Sequence, residues 1–295
     1  MLTYQTTPCV EIVDELLEAA GVRVYVKRED LNHSLVSGNK WWKLKYNLLE
    51  AKELGADTIL TFGGAYSNHV YATSAAAKET GFRSIGVIRG EEVIPYNPTL
   101  RFAKSQGMQL HFVSRQTYRE KTSDTFIKQL RNEFGDFYLI PEGGSNANAV
   151  KGSKEFASNI LSAIDSDIII LPVGTGGTIA GLICGLPTTK EIIGVSVLRG
   201  GEFLAGDIRQ LATTCVNDFA NTNWKILTDH HHGGYAKSSS ALDDFIRHFF
   251  LKHGIPLEPV YSGKTMWALW KEISAGKFER GTKILFLHTG GVQHF

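Results

Sequence analysis

The sequence has almost no net charge. Its 31 basic and 30 acidic residues leave a formal charge of +1. That balance supplies no field to draw nucleic acid or an anionic membrane surface, so partners of either kind are not expected. Long apolar runs are also missing. None approaches the roughly 20 residues that a bilayer span needs. The first 21 residues carry no basic leader segment, and acids interrupt their apolar positions, so they do not read as a signal peptide. Cysteine is scarce: Cys9, Cys184 and Cys215 are far apart and odd in number. A disulfide framework is excluded on that count, and a reducing cytoplasm is the expected setting. No low-complexity linker and no solenoid-length repeat is present.

What is present is a recurring unit: a short apolar run, a glycine turn, then usually a helix-like stretch. It occurs at TILTFGG (58–64), IIILPVGTGG (168–177) and ILFLHTGG (284–291). Runs such as Ile168 to Leu171 suit strands buried on both faces. Further alternation follows, with FRSIGVIRG and MQLHFVS as strands and NPTLRFAKSQG as a helix between them. The rhythm predicts an α/β fold of open, mainly parallel sheets. Strands on either side of the PEGGSN turn (141–146) predict two such sheets. Ligands of open α/β sheets bind beyond the carboxyl ends of the strands, where all three glycine turns lie.

Each turn has a bland reading and a chemical one. Gly174, Thr175, Gly176, Gly177 and Thr178 follow a buried-type strand and precede a helix. Free amides at a helix start bind a phosphate dianion. The letters rule out two commoner loops. A Walker loop needs Gly-Lys-Ser/Thr at its end, and Leu182 follows Gly181; a dinucleotide fingerprint needs a third glycine at Ile179. In the second turn, Ser67 or Asn68 caps the alanine-rich helix, or else these residues and His69 hold a carboxylate. In the third, the Thr289 hydroxyl reaches a cofactor ring or closes a turn. Lys40 follows Gly38 and precedes Trp41 and Trp42. An apolar pocket made by those rings would lower its pKa and make it a nucleophile or base. His230, His231 and His232 lack a second cluster at ligand spacing, so no metal site is expected. Glu142 reads equally as an active-site acid or a turn residue. Asp30 reads as the partner of a local ion pair beside Arg28 and Glu29. Cys184 reads as core.

Together these pieces resemble the pyridoxal-phosphate enzymes that include 1-aminocyclopropane-1-carboxylate deaminase and D-cysteine desulfhydrase, of the tryptophan synthase β-subunit-like fold (fold type II). The resemblance runs from Thr7 and Pro8 to Gly291. It rests on Lys27 to Leu31, Gly38 to Lys40 with Lys43 and Leu44, Gly63 and Gly64 with Ser67 to His69, Gly174 to Thr178, Glu258 to Lys264, and His288 to Gly291. It implies a cofactor-binding domain of residues 1–48 and 146–295 and a smaller α/β domain of residues 49–145. It implies pyridoxal 5'-phosphate joined to Lys40 as a Schiff base. The phosphate would lie on Gly174, Thr175, Gly176, Gly177 and Thr178, helped by Lys43. Asn68 would bond the ring's phenolic oxygen. Ser67, with Asn68 and His69, would meet the carboxylate of a small amino-acid substrate. Tyr261 would lie near the ring face, Tyr235 would line the substrate pocket, and Ser262 and Thr289 would be near the pyridine nitrogen. Relatives are commonly homodimers.

Two departures bear on the substrate. The deaminase pattern has glutamate after the Pro-Val-Tyr tyrosine; here Ser262 stands there. A hydroxyl favours a neutral ring nitrogen and a weaker electron sink. That tilts the expectation toward D-cysteine-like elimination to pyruvate, ammonia and sulfide, rather than ring opening of aminocyclopropane carboxylate to 2-oxobutanoate. Trp41 and Trp42 replace smaller or basic residues. A serine- or threonine-type dehydratase and a cofactor-binding protein without turnover are the rivals.

Overall fold

The computed structural model describes residues 2–215 and 223–292. The chain opens with β1 (Cys9–Ile12), α1 (Glu15–Ala20), β2 (Arg23–Lys27) and α2 (Asn39–Glu53). It then builds a four-stranded sheet from β3 (Thr58–Gly64), α3 (Asn68–Thr80), β4 (Arg83–Arg89), α4 (Pro98–Ser105), β5 (Gln109–Val113), α5 (Arg115–Arg119), α6 (Asp124–Phe134) and β6 (Tyr138–Ile140). The return leg carries α7 (Ala147–Ala163), β7 (Ile168–Val173), α8 (Gly177–Gly185), β8 (Glu191–Ser196), α9 (Leu204–Thr213), β9 (Trp224–Leu227), α10 (Ser240–His253), α11 (Ser262–Ser274) and β10 (Lys283–Leu287).

Two sheets result, as the strand rhythm predicts. Their orders are β1-β2-β10-β7-β8-β9 and β5-β4-β3-β6. Every pairing is parallel except β1 with β2. The reason is in the side chains. All six residues of β7 are buried, and Ile284 to Leu287 of β10 are buried with them. Strands apolar on both sides need cover on both sides, which crossover helices of parallel units supply. Pro172 would interrupt a central strand, but β10 pairs with β7 only through Ile168 to Ile170, so its missing N–H is not called on from that side.

In the four-stranded sheet the period of two separates the faces. Leu60, Phe62, Ile85 and Val87 pack with Tyr118 and Phe126 of α5 and α6. Thr61 instead meets His69 of α3, and a Cβ on Gly63 would strike Val70 and Ser67. The parallel strands of both sheets point their carboxyl ends at one cleft.

The pair Trp41 and Trp42 corrects the expectation for Lys40. Both rings are at most 5% exposed and turn into the core, where Trp42 stacks on Phe156 of α7 at 5.1 Å and donates to Glu29 at 2.8 Å. Successive helical residues point about 100° apart, so Lys40 can face the cleft while its neighbours face α7. Neither tryptophan lines the cavity. The ion pair read at Asp30 is present: Arg28 donates to it at 2.7 Å. Glu29 goes elsewhere, into a buried network with Lys27, Thr7 and Asn32.

Candidate active site

A cavity of about 410 Å³ lies between the sheets. From the expected set, Lys40, Lys43, Ser67, Asn68, His69, Gly174, Thr175, Gly176, Thr178, Tyr235, Tyr261 and Thr289 all line it. Gly177 and Ser262 do not.

Lys40 sits in the first turn of α2. Its Nζ donates to Asn39 Oδ1 at 2.7 Å and lies 5.9 Å from the centre of the Tyr261 ring. The side chain is half-buried and lines the cavity. Burial lowers its pKa to about 8, against the opposing pull of the Glu258 carboxylate. Asn39 in turn donates to Thr178 Oγ1 at 2.9 Å, tying the lysine to the start of α8. The sequence reading assigned Asn39 no task; only the fold places Thr178 beside it.

Gly176 caps α8 in a left-handed conformation, with φ of 78°. Its missing Cβ faces Ile208 of α9 at 2.8 Å, so glycine is needed there for the turn and for helix packing. The missing Cβ of Gly177 faces Ser145 Oγ at 2.9 Å and Lys43 Nζ at 3.0 Å. Lys43 is 3% exposed and has no acid partner among the described residues; it donates to the Gly143 carbonyl and to Ser145 Oγ at 3.1 Å. Burial, and then Lys40, hold its pKa well below the usual lysine value. A buried cation beside a helix start, with no anion of its own, is what a phosphate group completes. The residues present therefore fit pyridoxal phosphate, with its phosphate on this cup and its aldehyde toward Lys40.

The α3 start is capped as expected: Ser67 Oγ accepts from Val70 N at 3.2 Å. The Thr61 hydroxyl donates to the Ile140 carbonyl at 2.8 Å, so the 2.9 Å contact with His69 must run from His69 Nε2–H to Thr61. Nε2 thus carries a proton, and burial, with Lys43 and Lys40, drives the pKa of the ring well below its usual value. Tyr261 and Tyr235 face each other with ring centres 6.1 Å apart. Burial raises both hydroxyl pKa values, that of Tyr261 well above its usual range. Lys264, fully buried, donates to the Gly234 carbonyl at 2.7 Å and so holds the loop that carries Tyr235.

Ser262 is turned away from the cavity. Its hydroxyl accepts from the Glu258 amide at 2.9 Å and donates to the Glu258 carboxylate at 3.2 Å. Glu258 also accepts from the amides of Val260, Tyr261 and Ser262, closing the first turn of α11. The acid of this region is thus Glu258, which the motif displayed but spacing could not place. Glu142, left open in the sequence, lines the cavity and pairs with Lys121 at 3.4 Å. No group of three or more metal-binding side chains occurs among the described residues, and His230 lies 3.8 Å from Glu272.

A phosphate cup, a lysine of depressed pKa and an anion-reading helix start, all at strand ends of paired α/β sheets, define a cofactor-dependent enzyme that binds an aldehyde-bearing phosphate. The family model of pyridoxal-phosphate dependent enzymes matches residues 1–290, and the chain belongs to that family. It is 33% identical over 293 residues to a putative 1-aminocyclopropane-1-carboxylate deaminase of Pyrococcus horikoshii, covering 96% of this chain and 89% of that protein. It is 30% identical over 295 residues to a bifunctional D-cysteine desulfhydrase/1-aminocyclopropane-1-carboxylate deaminase of Arabidopsis thaliana, covering 92% and 73%. A crystal structure of an ACC deaminase homologue superposes with a TM-score of 0.85 at 29% identity, covering 99% of this chain and 91% of that one.

The lysine geometry carries a prediction of its own. Only the free amine attacks an aldehyde, and Lys40 is half deprotonated near pH 8. Uptake of pyridoxal phosphate by the cofactor-free protein should speed up with pH to about 8 and then level off. Stopped-flow absorbance follows it. A rate still climbing through pH 10 would mean an amine of ordinary pKa, and would reject the burial of Lys40 as its cause.

Proposed function

We propose that this protein is a pyridoxal-phosphate-dependent lyase that removes the β-substituent of a small amino acid, with D-cysteine the best simple substrate. The cofactor supplies an electron sink for a carbanion at the substrate's α-carbon. Lys40 attaches the cofactor at rest and, once released by the substrate amine, takes the α-proton. Ser67, Asn68 and the free amides of α3 hold the α-carboxylate. Lys43 and residues 174–178 would hold the phosphate, and Thr289 would serve the ring.

The observation that favours elimination over ring opening is the tyrosine pair on the cavity wall, with ring centres 6.1 Å apart. Burial raises both hydroxyl pKa values above the usual phenol value. A protonated phenol can donate to a departing thiolate, and it is a poor nucleophile toward a cyclopropane carbon. Ring-opening deamination is the second reading, because a relative named a putative deaminase reaches 33% identity and another relative bears both names. The test is keto acid release from D-cysteine, L-cysteine and aminocyclopropane carboxylate under one condition. Pyruvate from D-cysteine should appear at least about tenfold faster than 2-oxobutanoate from the cyclopropane, a barrier gap of about 1.4 kcal/mol. The reverse order would establish the deaminase; silence on all three would reject D-cysteine and the cyclopropane as substrates.

With this reading go a homodimer and a division into residues 1–48 with 146–295, which hold the cofactor, and 49–145. The larger unit includes residues 216–222 and 293–295, which lie outside the described ones. Three unpaired cysteines support a reducing compartment.

A further inference from the structure

The cavity holds one cation more than the reading above uses. Four basic side chains line it: Lys40, Lys43, Arg89 and Lys121. The first two serve the cofactor, and Lys121 is paired with Glu142. The Arg89 side chain, exposed at the end of β4, has no hydrogen bond or ion pair among the described residues; its guanidinium lies over the Tyr118 ring, 5.6 Å from its centre. Lys121 lies over the same ring at 5.2 Å.

Strand geometry says which part of a substrate Arg89 can meet. It ends β4 in register with Gly64, the last residue of β3. An added Cβ on Gly64 would come within 3.5 Å of its Nη2, whereas one on Gly63 would meet Ser67 and Val70. Neighbouring strand residues point to opposite faces. The α-carboxylate reader, at Ser67 and the α3 start, is therefore on one face of the strand ends, and Arg89 is on the other, with Tyr118. Arg89, Glu142 and Tyr235 all line the one cavity, so the guanidinium is within the space a bound substrate would occupy.

We propose that Arg89 is the reader of a second anionic group, and that the substrates this site prefers are amino acids whose β-substituent itself carries a carboxylate or comparable anion. A guanidinium offers a planar fork to such a group, and the Tyr118 ring holds that fork flat without neutralising it. Glu142, one charge set against two, leaves the subsite net positive. This deepens the lyase reading and rests on it for the position of the α-carboxylate. It makes D-cysteine a minimal substrate that leaves Arg89 unused.

The test uses ligands with no amine, which cannot react with the cofactor. Cofactor-loaded protein is titrated by calorimetry with 3-(carboxymethylthio)propanoate and with its carbamoylmethyl counterpart, which has nearly the same shape and one charge fewer. Binding of the dianion should be at least about tenfold tighter. Arg89→Met should cut that ratio below about threefold, and Arg89→Lys should keep part of it. Arg89→Gln is the second variant should the methionine form be insoluble. Equal affinities in the native protein, or a ratio that survives loss of the guanidinium, would overturn the proposal. The lyase reading fails separately, by lack of keto acid release from any amino acid, and leaves this ratio untouched.

Discussion

Replacing Lys40 by alanine is expected to lower keto acid release by at least about three orders of magnitude, roughly 4 kcal/mol in barrier. The native protein should be yellow, absorbing near ~410–420 nm when loaded, a property the cofactor brings; the variant should lose that band while retaining the free cofactor's binding to the phosphate cup. The effect is large because Lys40 has two tasks, attachment and proton removal, and no neighbour can assume both. Lys43 is the obvious substitute, being buried and of depressed pKa. It is held by Gly143 and Ser145 beside Gly177, at the phosphate end. Borohydride reduction of the loaded native protein followed by peptide mapping should put the pyridoxyl group on Lys40. A label on Lys43 or Lys264 would reject the assignment, and so would a Lys40→Ala protein that keeps its activity.

Gly38→Ala should be the most damaging substitution of a single hydrogen by a methyl near the site. Gly38 has φ of 71° and ψ of −148°, a region essentially confined to glycine. Its missing Cβ would stand 1.9 Å from the Thr289 carbonyl oxygen and 2.3 Å from its carbon. Both are backbone atoms and cannot rotate aside. The turn cannot slide away either, because the Gly38 amide is held by the Glu29 carbonyl and by Asn32 Oδ1, each at 2.9 Å. Strain of about 1–3 kcal/mol and overpacking of a similar size are expected. At about 2–4 °C per kcal/mol for a chain of this order, the melting temperature should fall by about 5 °C or more. Cofactor retention should fall with it, since Gly38 sets the start of α2 and hence the place of Lys40. Calorimetric melting and cofactor content after dialysis measure the two effects. A variant that melts and retains cofactor like the native protein would show that the two turns are not in contact.

The strands were legible in the sequence because their side chains obey a local rule. The run before the first glycine turn lies in β3, which also takes in Gly63 and Gly64, and IIILPV is β7, since strands covered on both faces favour apolar runs. The glycine turns were legible for the same kind of reason: a helix start at a strand's carboxyl end binds anions wherever it occurs. Residue types therefore pointed to Ser67 and residues 174–178, whereas Lys40 and Lys43 were singled out by the family resemblance. What sequence could not supply was direction. Trp41 and Trp42 adjoin Lys40 in the chain, yet they serve the core, because one helical step turns a side chain by about 100°. Ser262 lies one residue from Tyr261, yet the Glu258 carboxylate claims it, because a buried acid draws in every donor in reach. Arg89 carried no signal at all. It gains a role only where β4 ends beside Gly64, on a cavity that Tyr235 also lines, a meeting of residues 25 and more apart that only the packing of two sheets decides.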